Sequence, residues 1–366
     1  MKNTFGNSIS VTLFGESHGC AVGAVLDGMA PGIPVDESMI ARQLTLRRPS
    51  GSTGSARQEA DRFSIVSGIC NGKTTGTPLC ILIPNEDCDS ASYDALNGVA
   101  RPGHADYTAQ CKYHGFQDHR GGGHFSGRLT APLVAVGAIA IQALRGRGIR
   151  IGTHIFRCGG IADRSFADLP ADIERLNQTT FAVLDERSGR RMEQAIESAA
   201  EAEDSVGGVL ETAVIGLPAG VGEPWFDSVE SLLSHALFSI PAVKGVEFGD
   251  GFAMADGRGS QYNDCFAVEN GQIVTLSNHN GGINGGITNG MPILFRCAVK
   301  PTPSIGQEQR TVNYFRTENT TVTTHGRHDP AIVHRARVVV DSVTALVLCD
   351  LLAGRFGTDW LVGDAL

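Results

Sequence analysis

The 366-residue sequence predicts an α+β protein with sheets and helices stacked in layers, and three observations carry that prediction. Stretches of two-residue apolar alternation are interleaved with stretches of helical periodicity without a regular βα repeat, which disfavours a doubly wound sheet. No Gly-x-Gly-x-x-Gly follows a strand and no Gly-x-x-x-x-Gly-Lys-[Ser/Thr] occurs, so the usual nucleotide-binding loops are not signalled. Segments with chemical character recur from residue 15 to residue 341, with no low-complexity linker and no repeat. Residues 1–366 therefore read as a single domain whose two halves build one site.

Alternation predicts strands over residues 9–14, 23–26, 63–69, 79–83, 149–155, 208–215 and 292–299. Helical spacing predicts helices over 37–46, 130–145, 192–203, 228–237 and 330–352. The longest apolar run, 129–144, contains Pro132, Gly137 and Gln142 and is closed by Arg145. It is too short and too interrupted for a membrane span and reads as a buried core helix, with Thr130 as its cap and Pro132 in its first turn. Asp329-Pro330 is expected to open the last helix in the same way, and Gly354 to end it.

Hydrophobic residues make up 42% and charged residues 19%, which excludes a disordered or membrane-embedded chain. A net charge of -9 argues against a general nucleic-acid binder. The nine cysteines include no Cys-x-x-Cys and fit reduced thiols. His114, His119 and His124 recur every five residues, a spacing that does not place ligands on one helix face, so no metal is expected. Residues 1–10 lack a secretion signal, and a cytoplasmic location is expected.

Against this acidic background, five arginines (Arg42, Arg47, Arg48, Arg57, Arg62) face two acids, Glu59 and Asp61, within one stretch. That reads either as a solvated loop or as a local site for a small anion. The 46 glycines form short runs beside His, Arg, Ser and Asn, notably Gly121–Gly123, Gly281-Gly282 and Gly285-Gly286. Such loops let backbone amides approach a ligand. Five segments stand out: Gly15-Glu16-Ser17-His18-Gly19 after the first strand; Arg101-Pro102-Gly103-His104-Ala105-Asp106; Arg120 to Arg128 around the glycine triplet; Ser277-Asn278-His279 through Gly286 to Lys300-Pro301-Thr302-Pro303-Ser304; and Gly326-Arg327-His328-Asp329-Pro330. Each histidine alone reads as a turn residue; five such turns flanking regular elements read as one polar site for an anionic, phosphate-bearing substrate.

These segments resemble the signatures of the chorismate synthase family, in order and over essentially the whole chain. The matching stretches are Gly15–Gly19 with Asp27-Gly28, Gly123–Thr130, and Arg327–Pro330. Arg47-Arg48-Pro49, Arg101–Asp106, Ser239–Gly245, Ser277–His279 and Lys300–Thr302 match as well. The resemblance implies a sheet–helix–sheet (β-α-β sandwich) core and a 1,4-anti elimination of phosphate from 5-enolpyruvylshikimate-3-phosphate, giving chorismate. It also implies reduced FMN (FMNH2) as cofactor without net redox change, a homotetramer, and a separate NADPH-dependent flavin reductase. By resemblance His18 protonates the leaving phosphate and His104 sits against the flavin. Asp329, with the flavin N5, takes the C6 proton, while Ser17 and Ser126 relay or orient. Arg42, Arg47, Arg48, Arg128 and Arg327 would bind substrate. His124, Phe125, Ser126, Pro241, Ala242, Gly285, Lys300, Pro301, Thr302, Pro303, Ser304 and Arg327 would hold the flavin. The chain departs from the commoner pattern in having His124 for an arginine, Asp341 for a glutamate, and a 50–57 loop in which Arg57 is the one arginine. A flavin oxidoreductase acting on a phosphorylated small molecule, and a non-catalytic flavin or anion binder, are the alternatives.

Overall fold

The computed structural model describes residues 2–48, 59–86, 97–324 and 329–363. Arg57, Arg327 and His328 lie outside the described residues, as does the loop after Arg48.

Two antiparallel five-stranded sheets enclose a helical layer. The first comprises β1 (Thr4–Phe5), β2 (Ser10–Gly15), β3 (Ala21–Asp27), β4 (Ser64–Ser67) and β5 (Leu79–Pro84), in the order β1-β2-β3-β5-β4. The second comprises β6 (Arg150–Cys158), β7 (Ile161–Ala162), β8 (Gly208–Ile215), β9 (Val243–Phe248) and β10 (Ile293–Val299), in the order β9-β10-β8-β6-β7. The strand predicted over 63–69 is cut at Gly68 (φ 87), where a Cβ would stand 2.5 Å from Leu79 Cα.

Helix α1 (Glu37–Arg47) is capped by Asp36, whose carboxylate accepts from the amides of Ser38 and Met39. Helix α2 (Asp106–Tyr113) escaped the periodicity because only Ala109 along it is buried. Helix α3 (Thr130–Gly146) is the apolar run, and every residue from Ala131 to Ile141 is buried. Its one amide, Gln142, sits at the rim and accepts from the Asp36 amide at 2.7 Å. Helices α4 (Leu169–Leu176) and α5 (Glu186–Glu201) start at the side-chain caps Asp168 and Asp185. The first six residues of α5 carry no apolar side chain, so the sequence period placed its start at 192. Helices α6 (Val229–Leu237) and α7 (Val333–Phe356) complete the layer.

Helix α3 packs on β3 and β5 of the first sheet, α7 packs on β6 and β8 of the second, and the two helices pack on each other. They approach closely at Gly137, where a Cβ would lie 2.3 Å from Ser342 Cβ. One hydrophobic core runs through all three layers, from Ile9 to Leu361.

Three helix-end expectations are corrected. Thr130 is not a cap: its hydroxyl donates to Gly127 O, and Ser126 accepts from the Arg128 amide instead. Asp329 does not cap α7, which begins after Ile332, because its carboxylate is paired with Arg335 at 2.8 Å. Helix α7 runs through Gly354 to Phe356 and stops at Gly357 (φ 84).

Polar groups inside the sandwich are paired across layers. His154 lies between Asp163 (3.0 Å) and Glu211 (2.9 Å), and these two acids outweigh burial and raise its pKa. Asp341 accepts from Thr153 at 2.6 Å and stands 3.7 Å from Arg337. Burial pushes Asp341 up to about 6 despite Arg337 and Thr153. Between an unfolded carboxylate value of ~4 and that folded value the native chain holds a proton the unfolded chain has lost, so this group's contribution falls as pH rises. Asp341→Asn is therefore expected to flatten the decline in stability between pH ~4 and ~6, read from urea unfolding at several pH values. Equal slopes in wild type and variant would assign the decline to another group.

Candidate active site

The site is assembled on a backbone that only glycine permits. Strand β2 ends at Gly15 (φ 98), and the Glu16–Gly19 turn returns the chain into β3. Asn85 clamps that turn by donating to Glu16 O (3.0 Å) and Gly19 O (2.9 Å). Gly121, Gly122 and Gly123 all have positive φ (59, 81 and 53). A Cβ on Gly121 would stand 2.0 Å from two His18 ring atoms and 2.9 Å from Ser17 Oγ. One on Gly122 would stand 3.4 Å from His104 Cε1 and Nε2. The glycine loop thus lies against both His18 and His104, and any side chain on Gly121 would displace His18. The Ser17 amide donates to Gly123 O at 3.1 Å, which fastens the turn to the loop.

His18 and His104 line a cavity of about 1230 Å³ that opens between β1 and β9, at the start of α3 and α7. His124, Phe125, Ser126, Pro241, Ala242, Lys300, Thr302, Pro303, Ser304, Arg47 and Asp329 share its wall. His124 Nδ1 is 2.9 Å from Gly15 O, a carbonyl that only accepts, so Nδ1 carries the hydrogen. Ala242 is held at φ 76, a conformation non-glycine residues rarely adopt. Its carbonyl accepts from the Lys300 amide at 2.9 Å. Lys300 Nζ donates to Gly103 O at 2.6 Å, so the end of β10 holds the turn that carries His104. Burial, and then Lys244, lower the Lys300 pKa.

The arginines divide. Arg47 reaches the cavity while donating to Asp61 Oδ2 (3.1 Å) and Thr130 Oγ1 (3.2 Å), and burial brings its pKa down to about 10. Arg128 is fully committed elsewhere, to Asp61, Asn85 Oδ1 (2.8 Å) and Pro84 O (3.0 Å). Arg48 turns to Ala60 O and to Asp61 (3.6 Å), and Arg42 donates to Asn177 O (2.7 Å). Arg47 and Arg48 of the arginine-rich stretch, with Arg128, therefore brace one buried acid, Asp61. Burial would raise the Asp61 pKa, but Arg47 and Arg128 together outweigh it and hold the carboxyl low.

Three other expected site residues lie off the cavity wall. Ser17 is fully buried against Gly121, Gly285 forms the tight turn between the short strands Ile283–Asn284 and Ile287–Thr288, and Pro301 is not among the lining residues. The Ser277–Asn280 loop is organised by Asp264, which accepts from Ser277 Oγ (2.6 Å) and from the amides of His279 and Asn280. Those hydrogen bonds outweigh burial and hold Asp264 at about 2. Donors already gathered on a carboxylate cannot serve a phosphate as well.

Sequence reasoning missed several polar wall residues, among them Lys244, Ser239, His235, Thr324 and Arg335. Lys244 and Ser239 lie inside a matched stretch and were legible there. Thr324 and Arg335 had no signal until the chain was folded.

A sequence profile of the chorismate synthase family matches residues 9–353. The chain belongs to the chorismate synthase family. Chorismate synthase of Methanosarcina acetivorans is 46% identical over 351 residues, 95% of each chain. That of Methanococcoides burtonii is 45% identical over 351 residues, also 95% of each. That of Thermococcus kodakarensis is 43% identical over 357 residues, 98% of this chain and 99% of the relative. A crystal structure of a chorismate synthase matches with a TM-score of 0.76 at 28% identity, covering 96% of this chain and 94% of that one. Chorismate synthases are carbon–oxygen lyases acting on a phosphate-containing substrate, and the family is known to use reduced flavin. The wall fits such a pair of ligands. The hydroxyls of Thr302 and Thr324 are buried there with no hydrogen-bond partner among the described residues, and Lys244, Lys300 and Arg47 line the same cavity. Unpaired buried hydroxyls cost free energy unless something in the cavity bonds to them.

Proposed function

We propose that this chain binds 5-enolpyruvylshikimate-3-phosphate and FMNH2 together in the cavity and eliminates phosphate in the 1,4-anti sense to give chorismate. The observation that carries this reading is the glycine loop, which lies against both His18 and His104 on a wall that also carries Asp329 and Arg47. Asp329 takes the C6 proton, the C3–O bond breaks, and His18 gives a proton to the departing phosphate, so no electrons are gained or lost overall. Ser17 and Ser126 orient the reacting groups, and Arg47 meets the substrate's negative charge. FMNH2, when bound, supplies transient electron density to the breaking bond. His124, Phe125, Ala242, Lys300 and Thr302 to Ser304 hold it, and His104 faces it. Arg327 belongs to the same set by its place in the family signature.

The protein is proposed to act in the cytoplasm as a homotetramer, with a separate reductase regenerating FMNH2 from NADPH. The eight described cysteines are free thiols, as suits a reducing compartment. The hairpin of Phe266–Glu269 and Gln272–Thr275 leaves Phe266, Val268, Ile273 and Leu276 64–74% exposed, an apolar surface that further subunits would cover.

Anaerobic incubation of substrate with pre-reduced FMN is expected to yield chorismate and phosphate over many turnovers, with the flavin still reduced at the end. Flavin oxidation in step with product would point to an oxidoreductase, and absence of product would end the lyase reading.

A further inference from the structure

His104 does not stand alone in its turn. Its Nδ1 is 2.8 Å from Asp106 Oδ1. Asp106 is gripped in turn by Arg101, through Nε to Oδ2 (2.8 Å), Nη2 to Oδ1 (2.8 Å) and the backbone amide to Oδ2 (3.0 Å). Arg101 Nη2 also approaches His104 Nδ1 at 3.1 Å, but a guanidinium only donates. The carboxylate only accepts, so the hydrogen on Nδ1 belongs to the bond with Asp106. Arg101 is 8% exposed, and Asp106 is the first residue of α2, where the helix dipole favours a negative charge. The hydrogen bonds from His104 and Arg101 outweigh burial and hold Asp106 ionised well below the usual carboxylate range. Lys300, bonded to Gly103 O at 2.6 Å, secures the same turn from the second sheet.

The opposite edge of the ring, Cε1 and Nε2, lies against Gly122, and no hydrogen bond to Nε2 is made among the described residues. An imidazole with one nitrogen committed to a carboxylate has one tautomer and one orientation. We propose that Asp106, braced by Arg101, is the positioning residue that keeps the proton on His104 Nδ1 and so makes Nε2 the nitrogen that exchanges protons with what binds in the cavity. The assignment rests on the role given to His104 under the proposed function. Asp106 lies off the cavity wall and acts through the ring; Arg101 lines the cavity with His104, its guanidinium held on Asp106.

Asp106→Asn keeps the shape and reverses the bond. The carboxamide can accept from Arg101 and offer its NH2 to Nδ1, which drives the hydrogen to Nε2. The expected result is a fall in kcat of ~10–100-fold, with KM and the FMN dissociation constant within ~3-fold of wild type. Adding Asp106→Asn to His104→Ala is expected to change kcat by less than ~2-fold, because a residue acting through His104 has nothing left to act on. A kcat for Asp106→Asn within ~2-fold of wild type, or effects that multiply in the double variant, would overturn the proposal. A second readout needs neither flavin nor turnover. In 15N-histidine-labelled wild type, with His104→Ala used for assignment, Nδ1 is expected to carry the hydrogen in a downfield, carboxylate-bonded resonance. A His104 ring protonated only on Nε2 would overturn the proposal even if Asp106→Asn failed to fold. Wild type that makes no chorismate would sink the functional reading while the tautomer measurement still decided the role of Asp106.

Discussion

Asp329→Asn is expected to lower chorismate formation at least ~100-fold while FMN binding stays within a few-fold of wild type, as befits loss of an acid–base group. Asp329 is 6% exposed, lines the cavity, and is held at 2.8 Å by Arg335. The pairing fixes the position of the carboxylate on the cavity wall. Asparagine preserves the shape and one acceptor for Arg335 but cannot take a proton, so the loss should fall on kcat. Steady-state rates with pre-reduced FMN, alongside flavin titration of both proteins, make the comparison. Turnover within ~10-fold of wild type would remove Asp329 from the proton transfer, since general base catalysis contributes more than that.

The largest effect on stability is expected at Asp61. Its side chain is fully buried among Arg47 (8% exposed) and Arg128 (2% exposed), with Arg48 at 3.6 Å. Asp61→Asn would leave two buried guanidinium groups facing each other without their shared counter-charge. Breaking a buried ion pair from one side costs ~3–5 kcal/mol, and denaturant unfolding should show a loss of that size. Because the folded carboxyl is held low, its contribution is present above the unfolded value of ~3.9 and disappears only as pH falls below it. Arg47 is also the arm of this cluster that reaches the cavity, so KM for the phosphate-bearing substrate should rise as well. A loss of less than ~1 kcal/mol would show that the arginines find water or other acceptors, as exposed pairs do.

The residues of the site were more legible than their arrangement. Ser17-His18, His104 and the glycine triplet stand out because their residue types are rare together and flank regular elements. The arginine stretch misled, because the group that organises it is a single acid and one of its partners, Arg128, lies 67 residues further on. The glycines at 281–286 misled for a related reason. A Cβ on Gly281 or Gly286 would meet neighbouring backbone at 2.6 or 2.5 Å, so those glycines serve chain crossing rather than a ligand. Asp329 looked like a helix cap because sequence shows spacing but not rotamer, and Arg335, two residues inside α7, claims the carboxylate first.

By itself the sequence determined the layered α+β class, the long buried helix, and the set of turns from which the site is made. These depend on local periodicity, on where glycine is required, and on motifs that survive as contiguous residues. Only the tertiary structure decided which turns meet. It set His18 and His104 against the Gly121–Gly123 loop and placed Arg47 rather than Arg42, Arg48 or Arg128 on the cavity wall. Those outcomes turn on single hydrogen bonds and close approaches of 2 to 4 Å between segments distant in the chain, and nothing in the spacing of residues along it encodes them.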